Sequence, residues 1–104
     1  MERFLIVYRG APVNAGEGAS HHPEQWAAWF DRLGAAVIDR GSLTEASVEV
    51  PSRLIGPKLS SSALSGYSIV EALDFNEAVE LVQACPVFDE RGSVEIARLN
   101  VAPS

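Results

Sequence analysis

Apolar residues recur along the chain in dense or alternating runs that predict four β-strands. Residues 4–8 form a compact apolar run rich in β-formers, and residues 66–72 form a second one. In residues 43–50, Val alternates with polar residues in the second half, which favours a strand that Pro51 closes. Residues 94–101 have the same character. Each of these runs is predicted to form one strand.

Two segments show the three- and four-residue spacing of an amphipathic helix. The first is predicted to begin at Pro23, whose missing N–H costs nothing in a first helical turn, and to end at Gly41. Its apolar face consists of Trp26, Trp29, Phe30, Leu33, Ala36 and Val37. The second begins at residues 74–77, where an Asp precedes a Glu by three positions as in a capping box, and Pro86 ends it. Its apolar positions are Ala78, Leu81, Val82 and Cys85.

The connecting segments carry weaker signals. Residues 10–22 are rich in Gly, Ala and Pro without periodicity and predict a loop. Residues 52–65 are broken by Gly56-Pro57 and indicate only a weak strand or a long hairpin connection. The predicted order is β-α-β-(β)-β-α-β, which indicates an α+β, ferredoxin-like two-layer sandwich. At 104 residues, the chain is predicted to be a single domain, residues 1–104.

The strands are apolar on both faces, which predicts a partner for the sheet. In the first strand Phe4, Ile6 and Tyr8 share one face, and Leu5 and Val7 share the other. Two helices cover only one face, and a half-solvated antiparallel sheet alternates more cleanly than this. We therefore expect a two-fold homodimer. The alternative is that the segments 10–22 and 51–65 fold over the second face.

Charge and cysteine content exclude several function classes. The formal charge is -6, the pI is about 4.7, and the eight Lys and Arg residues are scattered. Binding to nucleic acid or to an anionic membrane surface needs a basic patch, so neither is expected. A single cysteine, Cys85, excludes an intramolecular disulfide and makes a cysteine-based zinc site implausible. No signal peptide or membrane span is visible, and a cytoplasmic protein without metal or cofactor is predicted.

Two histidines, His21 and His22, are the candidates for catalysis. Their side chains titrate near neutral pH, so either could act as a general base or acid on a small organic substrate. The alternative is a pair of exposed residues near the cap of the first helix. Only Glu17 and Glu24 lie nearby in sequence to complete a metal site, and neither H-x-H nor H-x-x-x-H spacing occurs.

Five residues are candidates for ligand binding. Trp26 and Trp29 could line a pocket for a flat or apolar molecule, although their helical spacing also suits core packing. Arg9 follows the first strand and could hold a carboxylate or phosphate, or it could be a solvated strand end. Tyr67 and Ser68 could supply hydroxyl groups, although Tyr67 also suits an amphipathic core position.

Seven stretches along nearly the whole chain carry a family resemblance through their joint order. They are residues 4–10, 26–34, 37–41, 64–72, 77–78, 84–88 and 92–96. With them the sequence resembles the YCII-related (YciI/DGPF) family, in its branch with a Trp-rich first helix and a Cys-Pro at the end of the second. The resemblance implies a ferredoxin-like subunit, a dimer packed sheet to sheet into an α/β barrel, and a small cavity between sheet and helices.

The resemblance implies no established reaction. Better-studied relatives are thought to use a His in the first helix and an Asp that directly precedes a Pro after the second. Phe30 and Cys85 align with those positions here, so both proton-transfer groups are missing. The Asp-Gly-Pro-Phe signature of another branch is also absent, and Gly56-Pro57 is at best its remnant.

Three hypotheses on function follow from the sequence. The first is a cytosolic homodimer that binds a small molecule in a pocket lined by Trp26, Trp29, Tyr67 and Arg9. The second is an enzyme of the same fold in which His21 or His22 performs acid–base chemistry. The third is an accessory subunit that associates with a partner protein.

Overall fold

The fold consists of one four-stranded sheet, two helices and a small, separate two-stranded ribbon. The computed structural model describes residues 1–10, 22–44, 47–59 and 64–100. The helices are α1 (Pro23–Leu33) and α2 (Phe75–Val82), with short 3-10 segments at Gly34–Ala36 and Pro86–Phe88. The strands are β1 (Glu2–Arg9), β2 (Val37–Leu43), β3 (Val48–Glu49), β4 (Lys58–Leu59), β5 (Leu64–Ala72) and β6 (Ser93–Arg98).

The main sheet has the strand order β2-β5-β1-β6, and every neighbouring pair is antiparallel. Strands β1 and β5 form its centre, with Leu5 opposite Ile69 and Val7 opposite Tyr67. This element order and sheet confirm the predicted α+β class and are compatible with a ferredoxin-like fold. All of the predicted strands except the one in residues 43–50 contribute to this sheet.

The core lies between one face of the sheet and the two helices. Phe4, Ile6 and Tyr8 of β1 are fully buried there, as the alternation in the first strand predicts. From α1 come Trp26, Trp29 and Phe30, and from α2 and the residues after it come Ala78, Val82, Cys85 and Val87. Aromatic edges meet aromatic faces at the centre, with the rings of Tyr8 and Trp26 4.7 Å apart. Both helices therefore cover the same side of the sheet.

The prediction that the first helix extends to Gly41 was wrong, because α1 ends at Leu33. Gly34 has a φ of 58°, a conformation that residues other than Gly adopt at a cost, and it stops the helix there. Strand β2 begins at Val37, which is opposite Val70 in the sheet. Val37 lies four residues after Leu33, so it continued the helical spacing by coincidence.

The second helix confirms its predicted cap. The side chain of Asp74 accepts a hydrogen bond from the Glu77 backbone N–H at 2.9 Å, and Glu77 reaches back to the N–H of Leu73. The helix ends at Val82, before Cys85, and Pro86 opens the following 3-10 segment. The sequence thus predicts where α2 starts more closely than where it ends.

The strand predicted in residues 43–50 belongs to the separate ribbon, not to the main sheet. Val48–Glu49 pairs only with Lys58–Leu59, and β2 takes the sheet position that this segment was expected to fill. The last strand stops at Arg98 rather than at residue 101. Most of the predicted loop 10–22, including His21, lies outside the described residues.

Candidate functional site

One end of the sheet brings together three of the predicted site residues. Strand β1 ends at Arg9, α1 begins just after His22, and β6 begins at Ser93 beside Arg9. Gly92 makes the close approach possible, because a Cβ at that position would overlap the carbonyl oxygen of Arg9. The chain thus places Arg9, His22 and Trp26 around the segment that enters β6.

Glu90 links the start of α1 to the side chain of Trp26 at this end of the sheet, and it is not among the residues predicted from the sequence. Its Oε2 atom accepts a hydrogen bond from the indole Nε1–H of Trp26 at 2.9 Å. The same oxygen lies 3.3 Å from the backbone nitrogen of His22, at the start of α1 where backbone N–H groups lack helical partners. Glu90 and Trp26 are 64 residues apart in the sequence, so no local pattern connects the two.

Arg9 is half-buried at the same end of the sheet, and its guanidinium group lies close to β6. Its Nη2 atom is 3.4 Å from Oε1 of Glu95. A guanidinium presents its N–H donors in a geometry that suits a carboxylate or a phosphate.

His22 is exposed and precedes α1 as its N-cap residue, without a side-chain cap hydrogen bond. Glu90 contacts its backbone nitrogen rather than its imidazole. A cleft of about 390 Å³ lies beside it and is lined by His22, Pro23, Glu24 and Gln25. The cleft and the imidazole therefore lie on the outside of the molecule, and acid–base chemistry by His21 or His22 stays a prediction.

Trp26, Trp29 and Ser68 lie inside the core. Trp29 is 1 % exposed, and its indole nitrogen has no hydrogen-bond partner within the described part of the chain. The hydroxyl of Tyr8 donates to Oγ of Ser68 at 2.8 Å, and Ser68 donates onward to the carbonyl of Arg40 at 2.6 Å. This buried chain of hydroxyls links the adjacent strands β1, β5 and β2. Burial raises the pKa of Tyr8, which keeps it a donor.

Tyr67 lies on the opposite face of the sheet from the two tryptophans. Tyr67 is the cross-strand neighbour of Val7 on β5, and Glu95 is the neighbour of Val7 on β6. Glu95 in turn forms the ion pair with Arg9. The predicted ligand residues therefore divide between two faces, with Arg9 and Tyr67 on one and Trp26, Trp29 and Ser68 on the other. Within one chain they do not line a single pocket.

The face that carries Tyr67, called the open face below, is covered by neither helix. Two rows of cross-strand neighbours form its centre. In the first row Leu5 lies between Ile69 and Ala97, and in the second Val7 lies between Tyr67 and Glu95. Leu5, Val7 and Ile69 are only half-buried, and Tyr67 is exposed. The open face is thus apolar in its middle, as expected from the two-sided hydrophobic pattern.

Ion pairs flank the apolar rows at both ends of the open face. Arg3 lies 4.0 Å from Glu71 at one end, and Arg9 lies 3.4 Å from Glu95 at the other. Each pair sums to zero charge. These two ion pairs thus add no net charge, and Asp39 of β2, opposite Ile69, adds one carboxylate at the edge of the open face.

The remaining titratable features do not add a second site. Cys85 is buried, and desolvation raises the pKa of its thiol to about 12, which leaves it protonated and unreactive. Among the described residues, no three His, Cys, Asp or Glu side chains cluster with metal-site geometry. In the same part of the chain, neither helix has the length and hydrophobicity needed to cross a bilayer.

Comparisons of the chain with protein-family models, with curated proteins and with solved structures found no match. The family resemblance of the sequence therefore stays a prediction. Arguments on function rest on the geometry of the site and of the open face.

Proposed function

We propose that the chain functions as a homodimer that binds a small organic molecule. Two copies pack their open faces together into an α/β barrel, and the ligand sits at the end of the sheet near Arg9, His22 and Trp26. The observation that carries the proposal is the apolar centre of the open face, which neither helix covers and where Leu5, Val7 and Ile69 are partly exposed. Burying it against an identical surface removes apolar area from water, which is the main favourable term in association.

The charge pattern supports a second copy as the partner. Because each end of the open face carries one Arg and one Glu, two copies meet without a row of like charges. An unpaired acidic row would repel its own copy in a chain of charge -6. The ion pairs at both ends of the open face therefore limit the repulsion between two copies that meet there.

The ligand chemistry follows from the groups at the sheet end. Arg9 provides a half-buried cation for a carboxylate or phosphate, and the cleft beside His22 provides room for a small molecule. Glu90 accepts a hydrogen bond from the backbone N–H of His22 at the start of α1, so the His22 side of the cleft is held in place before a ligand arrives. Binding rather than catalysis is favoured, because no described carboxylate engages the imidazole of His22.

The dimer is tested by adding a charge to the open face. Ile69→Lys places an ammonium group in the proposed interface, while the lysine can extend into water in a monomer. We expect sedimentation velocity to show a dissociation constant at least 100-fold higher than that of the wild type. Val79→Lys, at an exposed position on α2, is the matched control and leaves association unchanged. Tyr67→Lys serves as a second variant should Ile69→Lys fail to fold.

The ligand is tested by native mass spectrometry of gently purified protein. A dimer that carries an additional small mass supports the binding function, and Arg9→Met then removes that mass. Arg32→Met, in the last turn of α1, is the control and retains it. A bare dimer from every preparation contradicts the binding half of the proposal while leaving the dimer intact.

A further inference from the structure

The ribbon of β3 and β4 with its connecting turn, residues 47–59, carries an exposed apolar tip. It is called the arm below. Every residue from Val48 to Lys58 is exposed, and Leu54 reaches 96 %. Val48, Val50 and Ile55 are each at least 60 % exposed. Four large aliphatic side chains in one short segment form the kind of patch that marks an interaction site.

The tip of the arm has a defined shape. The side chain of Ser52 accepts hydrogen bonds from the backbone N–H groups of Leu54 at 3.2 Å and of Ile55 at 3.0 Å. Across the ribbon, Lys58 forms an ion pair with Glu49 at 3.3 Å. The local hydrogen bonds therefore hold two aliphatic side chains in solvent, where neither of them packs against its own domain.

The arm leaves the sheet at the end where Arg9 lies. Strand β2 finishes at Leu43, opposite Gly66, and β5 starts at Leu64, opposite Arg9. The arm is inserted between these two strands. The arm therefore follows in sequence from the end of the sheet at which Arg9 lies.

The charge of the arm is opposite to that of the rest of the chain. Arg53 and Lys58 against Glu49 give residues 47–59 a charge of +1. Subtracting this from the total of -6 leaves -7 on the remaining residues. A second copy of the chain thus offers an acidic surface to a cationic arm.

The open face alone falls short of the area that a stable dimer typically buries. Four strands of six to nine residues, about 4.8 Å apart and with a rise of about 3.4 Å per residue, give a face of roughly 500 Å². A stable interface buries about 800 Å² on each partner. Burying four Val, Leu or Ile side chains removes roughly 240–480 Å² more from water. The arm therefore matches the missing area.

We propose that the arm is a clasp whose aliphatic side chains, Leu54 and Ile55 at the tip with Val48 and Val50, pack against a second copy of this chain. This inference rests on the proposed homodimer and adds a reciprocal contact to it. Each copy contributes one arm and receives one, so every contact occurs twice in a two-fold dimer.

The test compares the double variant Leu54→Ser/Ile55→Ser with wild type. Both side chains are exposed in the monomer, so the fold itself is unaffected. We expect the dimer dissociation constant, measured by sedimentation equilibrium over a dilution series, to rise by about 100-fold or more. Leu73→Ser, at a 65 % exposed leucine outside the arm and the open face, is the matched control and leaves it unchanged.

The outcomes separate the two proposals. A wild-type dimer that the double variant does not weaken overturns the clasp and leaves the sheet-to-sheet dimer standing, with the arm then available to a different protein. A wild-type monomer overturns the proposed homodimer and the clasp together. Loss of association in the Leu73→Ser control also counts against the clasp, because the effect would then not be specific to the tip.

Discussion

The hydroxyl chain from Tyr8 through Ser68 to the carbonyl of Arg40 gives a sharp prediction of stability. Ser68→Ala removes the acceptor of a fully buried phenol and the donor to the carbonyl of Arg40 together. Tyr8→Phe removes only one donor, and Ser68 keeps its bond to Arg40. Ser68→Ala should therefore be the more damaging of the two changes, although it is the smaller in volume.

The magnitudes differ because losing a hydrogen bond costs less free energy than leaving a buried polar group without any partner. Tyr8→Phe should lower the free energy of unfolding by about 0.5–1.5 kcal/mol. Ser68→Ala adds the cost of an unsatisfied phenol and should lower it by about 2–4 kcal/mol. In the double variant no phenol is left unsatisfied, so its loss should fall below the sum of the two single losses by about 1–2 kcal/mol.

Urea unfolding, monitored by tryptophan fluorescence, measures these differences in the free energy of unfolding. All variants are compared at one protein concentration, because association contributes to stability. Ser42→Ala, at an exposed serine of β2 that bonds only a neighbouring carbonyl, is the control and should change stability by less than about 0.5 kcal/mol. Equal losses in the two single variants, or strict additivity in the double variant, would refute the reasoning.

Two further predictions concern Cys85 and the glycines. Burial raises the pKa of the Cys85 thiol to about 12, so in the folded protein it should react with iodoacetamide at pH 8 about a thousandfold more slowly than in urea. Because the unfolded thiol loses its proton at a lower pH than the folded one, the free energy of unfolding should fall as pH rises above about 9. Gly41→Ala should lower the free energy of unfolding, measured by thermal unfolding, by about 2 kcal/mol or more, because its φ is 69° and a Cβ would overlap the Tyr67 carbonyl. Gly56→Ala is the control and should change stability little, because a Cβ there would lie in open space.

The sequence predicts the strands of the main sheet well wherever the pattern of buried positions is local. Phe4, Ile6 and Tyr8 alternate with Leu5 and Val7, and the structure buries the first set completely. The cap of α2 is equally local, since Asp74 and Glu77 are three residues apart. Such features need no knowledge of distant contacts.

The errors arise where a local pattern has two meanings. Val37 fits a helical face and also a β-strand, and only pairing with Val70, far along the chain, decides between them. The backbone of Gly34 also ends α1 in a conformation that a spacing argument does not detect. Tertiary contacts outweigh propensity at such junctions.

The candidate site could be predicted only in part for the same reason. Arg9, His22 and Trp26 were identified from their residue types, and the structure brings them to one end of the sheet. Glu90 was missed because its bond to Trp26 spans 64 residues. Tyr67 and Trp26 could be assigned to opposite faces only after the strands and their register were known.

The mass of the native wild-type protein tests the central claim most directly. Sedimentation equilibrium at micromolar concentration should give twice the 11.2 kDa mass of the chain, with the dimer formed through the open face. A species of 11.2 kDa that persists at that concentration would contradict the account, because the apolar rows around Leu5 and Val7 would then be left without a partner.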